Sequence, residues 1–130
     1  MASEKMTKMG SLLIEAGLLP REMPSNYTYD KVREVLESLE SREIDGMRGA
    51  VESAVRLDVR GPLAAAIFCK HHLDEAHEVE VDRVDENEET GARYAVLIYP
   101  EGELPIKLEH LPQGTEPGVR IRYEPAAGYL

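Results

Sequence analysis

The sequence predicts an α+β protein, in which an N-terminal helical region is followed by a small antiparallel β-sheet or open barrel. In the first part of the chain, apolar residues recur with the three-to-four-residue spacing of amphipathic helices. In the second part they alternate with polar residues, as they do in half-buried strands. Because the spacing of the apolar residues changes near His77, we expect a helical region over 1–77, a barrel-like β-unit over 78–124 and a tail over 125–130.

The first helix is predicted over residues 4–16, with Gly17 as its C-terminal cap. A methionine-rich amphipathic helix of this kind either binds a partner or docks on the core of its own chain. A linker over 18–26 follows, in which Pro20 and Pro24 prevent a helix from continuing.

The second and third helices follow this linker. Thr28 is placed to cap the second helix, whose apolar stripe continues to Leu39. The pair Asp45 and Gly46 interrupts the pattern, and helical spacing then continues to about Asp58. We predict two helices joined by a short turn, with one kinked helix as the alternative.

The fourth helix is predicted to be the buried centre of the helical region. Gly61 and Pro62 form its start signal, because the fixed φ of proline suits the first turn of a helix. The segment 63–73 is the most apolar one in this region, and its small alanines allow close packing against a neighbouring helix.

Four strand signals follow in the β-unit. Alternation marks the first strand around 79–81 and the last over 119–123. The segment 94–99 is apolar on both faces, so we expect a central strand that is covered on both sides. A tight turn at Gly102 leads to the next strand, which Pro105 should confine to an edge.

A histidine-rich cluster lies at the end of the fourth predicted helix. Its chemically active residues are Cys69, His71, His72, Glu75 and His77. Cysteine, histidine and carboxylate are ligands of Zn²⁺, and a cysteine near a histidine is also the arrangement of a nucleophile with its base. These residues are therefore the candidates for a metal-dependent hydrolase.

Two observations argue against chemistry in this cluster. Its spacing does not match the zinc-binding helix motif, and only His110 lies elsewhere in the chain to complete a ligand set. Histidines at a helix end also bond free carbonyls and complement the helix dipole, while Cys69 follows apolar residues that should bury it. We therefore predict no catalytic, cofactor-binding or metal-binding residue, and no stoichiometric zinc.

The charge of the chain is strongly negative and unevenly distributed. The formal net charge is -10, and the segment 73–103 holds eleven acidic residues against two basic ones. Nucleic acids and anionic membranes attract basic surfaces, so this charge argues against both as partners. A small barrel that binds nucleic acid stays an alternative. Its basic stripe would consist of Arg83, Arg93, Arg120 and Arg122.

The compartment is indicated by cysteine usage and by the N-terminal segment. Cys69 is the single cysteine, so no disulfide forms within the chain, which fits a reducing compartment. The longest apolar run near the N-terminus, residues 12–14, is too short for a signal peptide, and no run approaches a membrane span. We expect a soluble cytoplasmic protein.

Several short motifs in the β-unit carry a resemblance to a known family. They are Val81-Asp82-Arg83, Ala95-Val96-Leu97, Leu104-Pro105, Leu111-Pro112-Gln113-Gly114 and Glu116-Pro117-Gly118-Val119. This pattern resembles a family of small prokaryotic β domains, the domain of unknown function number 3006. The resemblance covers about residues 79–123 and departs at Val84, where an aromatic is expected, and at the longer loop 85–91. It implies a prokaryotic β domain and no established activity.

These observations favour a non-catalytic protein-interaction module, whose partner is another protein or a second copy of the chain. Apolar stripes over 6–16, 32–39 and 47–55 exceed what a small β-unit can cover. Either the helices bundle with one another, or a stripe meets a second chain. We therefore expect a homodimer with the N-terminal helix in its interface, because exchange of such an element is a low-cost route to a dimer.

Overall fold

The computed structural model describes residues 8–39, 44–72, 77–111 and 113–123. Within these ranges four helices precede four strands, which confirms the predicted α+β fold. The helices are α1 (Lys8–Glu15), α2 (Tyr27–Ser38), α3 (Ile44–Arg56) and α4 (Pro62–His72). The strands are β1 (His77–Glu86), β2 (Arg93–Tyr99), β3 (Gly102–Lys107) and β4 (Arg120–Tyr123), and a short 3-10 helix spans Leu108–His110. The predicted tail over 125–130 lies outside the described residues.

The start of α2 lies two residues earlier than the sequence pattern predicted. Asn26, and not Thr28, caps this helix, because its side-chain oxygen accepts a hydrogen bond from the backbone N–H of Tyr29 at 3.1 Å. The prediction of two separate helices is confirmed, since α2 ends before residue 40 and α3 begins at Ile44. Asp45 and Gly46 belong to the first turn of α3 and do not form the connection.

The fourth helix lies at the centre of the fold, as predicted. Its residues from Ala64 to Cys69 are all buried, and Phe68 is the largest of them. α4 contacts α2 and α3 on the helical side and β3 on the sheet side. A helix that is apolar on nearly every face needs such neighbours all around it.

The first helix docks on the core of its own chain. Met9 and Leu13 are fully buried, and α1 packs against α3. Most apolar residues of α2 and α3 are also buried, with Tyr27 and Val55 as exposed exceptions, so the helices bundle with one another. In the described part of the helices, the stripes from which we predicted a homodimer are therefore largely covered within the chain, and Val55 is the residue of stripe 47–55 that stays exposed. The oligomeric state itself stays a prediction.

The sheet is antiparallel, with the strand order β3-β2-β1-β4, and it is not closed. Its inner face packs on the helices through buried residues of all four strands. These are Val79, Val81, Ala95, Leu97, Tyr99, Leu104, Ile106 and Ile121. β2 is a central strand and Pro105 lies on the edge strand β3, as the sequence predicted.

The prediction that a second layer covers the other face of β2 is wrong. No described element lies over the opposite side of the sheet, which we call the outer sheet face, and Ile98 is 39% exposed there. Val96 points to the same side by alternation, and yet it is only 1% exposed. Neighbouring side chains on this face therefore cover it.

Arg83 is one of these neighbours. A β-bulge at Asp82 shifts the register, so that Val81 pairs with Leu97 but Arg83 pairs with Val96. The guanidinium of Arg83 reaches the two carboxylate oxygens of Glu103 on β3, at 3.1 and 3.2 Å. Because β2 lies between β1 and β3, the Arg83 side chain must cross over β2 to make this pair. An arginine stem covers apolar surface while its charge stays in water.

The loop of the first hairpin is shorter than predicted. Asp85 and Glu86 still belong to β1, so only residues 87–92 connect it to β2. The side chain of Asn87 accepts hydrogen bonds from the backbone N–H groups of Glu89 and Thr90. This Asx-type turn fixes the loop locally, as turn residues of this kind do.

Candidate functional site

The histidine-rich cluster lies where the C-terminal end of α4 meets the turn between β2 and β3. Cys69 points into the core and is fully buried. Burial raises the pKa of its thiol to about 12, so the sulfur stays protonated at neutral pH. Because the thiolate is the nucleophile and the metal ligand, Cys69 is suited to neither role. The sequence-based prediction that this thiol is buried is confirmed.

Glu101, in the turn between β2 and β3, is the centre of the polar contacts in this region. His71 donates from Nε2 to one carboxylate oxygen at 3.1 Å, and the ammonium of Lys70 bonds the other. Burial of Glu101 disfavours its charged form, but the hydrogen bonds from Lys70 and His71 outweigh this and hold its pKa at about 2. Glu101 is therefore a permanently ionised carboxylate with both oxygens engaged, which does not suit a general acid.

His77 joins the same region from the start of β1. Its Nε2 lies 2.8 Å from the hydroxyl oxygen of Tyr99, and the ring of Tyr99 stacks on His71 with centroids 4.0 Å apart. We call the five residues that make these contacts the turn clasp. They are Lys70, His71, His77, Tyr99 and Glu101. The turn clasp fastens the end of α4 to the β2–β3 hairpin.

His72 lies outside the turn clasp. Its ring stacks on Phe68 with centroids 5.4 Å apart, and its Nδ1 is buried without a hydrogen-bond partner among the described residues. Burial lowers its pKa, and the nearby charge of Arg56 lowers it further, so His72 is neutral at physiological pH. The structure thus brings His71 and His77 together and places His72 elsewhere. Glu75 lies outside the described residues.

The metal-site alternative gains no support from these contacts. Across the described ranges, no group of three or more histidine, cysteine, aspartate or glutamate side chains is placed to hold a metal ion. Closed zinc sites require about four converging ligands. In the turn clasp, His71 and Glu101 are hydrogen-bonded to each other instead.

Sequence reasoning missed Tyr99 and Glu101 as members of this cluster. Both were correctly expected at the end of a strand and in a turn, but their contacts with α4 span about thirty residues of sequence. One signal was available in the sequence. A tight turn contains the carboxylate of Glu101, and the fourth helix ends in Lys70 and His71, whose side chains can donate hydrogen bonds to a carboxylate. Nothing in the local pattern pairs that turn with that helix.

The outer sheet face is the second candidate surface. Ile98 lies near its middle, between Glu80 on β1 and Glu103 on β3 in the same register row. Val96 and Pro105 lie in the next row of the same face. Apolar atoms at the centre of a face with a charged surround are the usual anatomy of a protein-binding surface.

The basic stripe that nucleic-acid binding would need is interrupted on this face. Arg83 is hydrogen-bonded to Asp82, Asp85 and Glu103. Arg120 has its Nε 3.8 Å from a carboxylate oxygen of Glu78. Arginines that already lie beside carboxylates neutralise those acids and attract phosphates less.

Comparison of the chain with models of protein families, with curated proteins and with solved structures finds no match. The fold and the two surfaces thus define a small α+β protein with an open antiparallel sheet. The resemblance of residues 79–123 to the family of unknown function stays a prediction. Among the described residues, no helix is long and apolar enough to cross a bilayer.

Proposed function

We propose that this protein is a non-catalytic protein-interaction module that binds its partner through the outer sheet face. The observation that carries the proposal is the 39% exposure of Ile98 on a sheet face that no described element covers. Pro105, which is half-buried, extends the apolar centre, and charged residues surround it. An apolar centre with a charged rim supplies both contact area and specificity in protein recognition.

The state of the chemically active residues supports a non-catalytic role. The thiol of Cys69 is buried and protonated, and Lys70, His71 and Glu101 are bonded to one another. Catalysis needs a nucleophile or base that can reach a substrate and exchange a proton with it. In the described part of the chain, these groups instead hold the fold together.

The charges of the outer sheet face indicate the chemistry of the partner. Acidic residues outnumber basic ones on and beside this face. The acids are Glu78, Glu80, Asp82, Asp85 and Glu103, and the bases are Arg83, Lys107, Arg120 and Arg122. A partner surface with an apolar contact for Ile98 and a basic rim complements it. We place this interaction in the cytoplasm, because a single cysteine fits a reducing compartment.

A photocrosslinking amino acid at position 98 tests the proposal in cells that express the protein naturally. We expect a discrete protein adduct from position 98. The control positions are Val55, which is 51% exposed on α3, and Tyr27, which is 76% exposed at the start of α2. Both are more exposed than Ile98, so adducts that require only exposure would be stronger there.

The crosslinked partner must then bind as a purified protein. We expect Ile98→Asp to weaken the affinity of the protein for this partner by at least about tenfold, because burial of a charge at the centre of an interface costs desolvation free energy. Val55→Asp should leave the affinity within about twofold. Adducts that are equal at all three positions, or a purified partner that binds the Ile98→Asp variant normally, would refute the proposal.

A further inference from the structure

We infer that a basic, extended segment of a partner protein adds to the sheet as a new strand along the free edge of β1. This inference goes beyond the proposed function, because it concerns the edge of the sheet and not its outer face. It names both a mode of binding, which is strand addition, and the chemistry of the occupant.

The free edge exists because β4 is much shorter than β1. β1 has ten residues, but β4 pairs only with its first part, His77–Glu80. The turn before β4 pairs with the backbone of Val81. The N–H of Val81 donates to the carbonyl of Val119 at 2.9 Å, and its carbonyl accepts from the N–H of Gly118 at 2.7 Å. Beyond Val81, no backbone group of residues 82–86 is paired on this side with any described residue.

The unpaired backbone groups can be assigned by alternation. In an antiparallel sheet, successive residues direct their N–H and C=O groups to opposite neighbours. Asn87 donates to the carbonyl of Ala92 at 2.8 Å, so it faces β2, and Asp85 does so as well. Val84 and Glu86 therefore direct their N–H and C=O groups to the free edge. These groups have the spacing that an added antiparallel strand requires.

The opposite edge of the sheet is not suited to the same role. Along β3, the residues at 102, 104 and 106 face β2, so 103, 105 and 107 face outward. The residue in the middle of that outward set is Pro105, which has no N–H to donate. Strand addition is therefore blocked at β3 and open at β1.

Charge selects the occupant of the free edge. Exposed acids lie along it and in the hairpin loop beside it, namely Asp82, Asp85, Glu86, Glu88 and Glu89. Arg83 is the basic residue among them, and it is already bonded to Asp82 and Asp85. A second copy of this edge would place acids against acids, which disfavours pairing of the chain with itself. A basic strand meets the opposite situation and is attracted.

The two faces of β1 also set the pattern of the added strand. Val84 is half-buried on the inner face, and Asp85 lies exposed on the outer face. Residues that lie opposite each other on paired strands share a face. The added strand should therefore place an apolar residue opposite Val84 and a basic one opposite Asp85, which gives an alternating sequence.

A synthetic peptide of about seven alternating lysine and valine residues tests this inference on the full chain. We expect chemical-shift changes in the ¹⁵N-labelled protein to concentrate at 82–86. We also expect amide exchange at Val84 and Glu86 to slow by at least about tenfold, because the edge N–H groups become hydrogen-bonded. Glu86→Lys should weaken binding by at least about threefold, since it reverses an exposed charge beside the bound strand.

Two control peptides separate strand addition from simple charge attraction. The first carries N-methyl groups on the backbone nitrogens that would face β1, and the second has glutamate in place of lysine. We expect at least about tenfold weaker binding for each. Undiminished binding of the N-methylated peptide, shift changes centred away from 82–86, or no binding at about 1 mM lysine–valine peptide would overturn the inference. Because Ile98 is not needed for this test, its failure would leave the proposed outer-face interaction standing.

Discussion

We expect the replacement of Glu101 with glutamine to lower the free energy of unfolding by about 2–3 kcal/mol at neutral pH. The pKa of Glu101 is about 2 in the folded protein, against an ordinary value of 4.5. A carboxyl whose pKa is depressed by folding stabilises the protein above its unfolded-state pKa, and this contribution is lost as the pH falls through the folded-state value. Wild-type stability should therefore decrease between pH 4.5 and about 2, and the Glu101→Gln variant should lack much of this decrease. Urea unfolding at a series of pH values measures both effects.

Glu37→Gln is the matched control for this experiment. Glu37 lies exposed on α2, and an exposed carboxylate contributes within about 0.5 kcal/mol. Other carboxylates also titrate in this pH range, so the difference between the two variants is the informative quantity. If Glu101→Gln and Glu37→Gln have the same stability at every pH, the turn clasp does not stabilise the fold.

The second large effect is expected at Gly102, on the other side of the same turn. Its φ of +152° is a conformation that side chains disfavour. A Cβ atom there would also lie 3.2 Å from Cδ2 of Leu63 and 3.4 Å from Cδ1 of Ile67 on α4. Gly102→Ala should therefore cost about 2–4 kcal/mol, the sum of backbone strain and overpacking. Urea unfolding at neutral pH checks this value.

Gly91→Ala is the reference for a glycine that has a positive φ but no close neighbour. Gly91 also has a positive φ, of +75°, but a Cβ atom there would meet nothing within 4 Å. The backbone cost alone is about 1–2 kcal/mol at such a position. Any excess for Gly102→Ala then reports the close packing of α4 on the hairpin together with the larger backbone cost at a φ of +152°. A smaller loss at Gly102 than at Gly91 would contradict the argument.

Most of the fold could be predicted because its signals are local. The change of hydrophobic period, the start signal at Pro62 and the edge position of Pro105 each depend on neighbouring residues, and the structure confirms all three. The cap of α2 was misplaced because Asn26 and Thr28 are both competent cap residues. Only the geometry of the preceding chain selects between them.

The predicted second cover of β2 failed for a different physical reason. The apolar pattern of 94–99 was interpreted as burial between two layers, but the bulge at Asp82 brings Arg83 beside Val96. The aliphatic part of the Arg83 side chain then takes the place of an apolar layer. The alternation of apolar and polar residues does not by itself predict a bulge. The turn clasp was hidden for the same kind of reason. The docking of a hairpin turn on a helix end is a tertiary contact with no periodic signal.

The position of β4 has a consequence for the order in which the protein folds. β1, β2 and β3 are joined by short turns, so their pairing closes only small loops, whereas β4 returns to β1 from much later in the chain. Distant pairings form late because the entropy of closing the loop must be lost first. The amide of Ile121, on β4, should therefore exchange through local opening, while that of Leu97, on β2, exchanges only on global unfolding. Equal protection of the two amides would show that the sheet opens as one unit. Unequal protection would show that β4 detaches from the sheet while the three-stranded meander of β1, β2 and β3 stays folded.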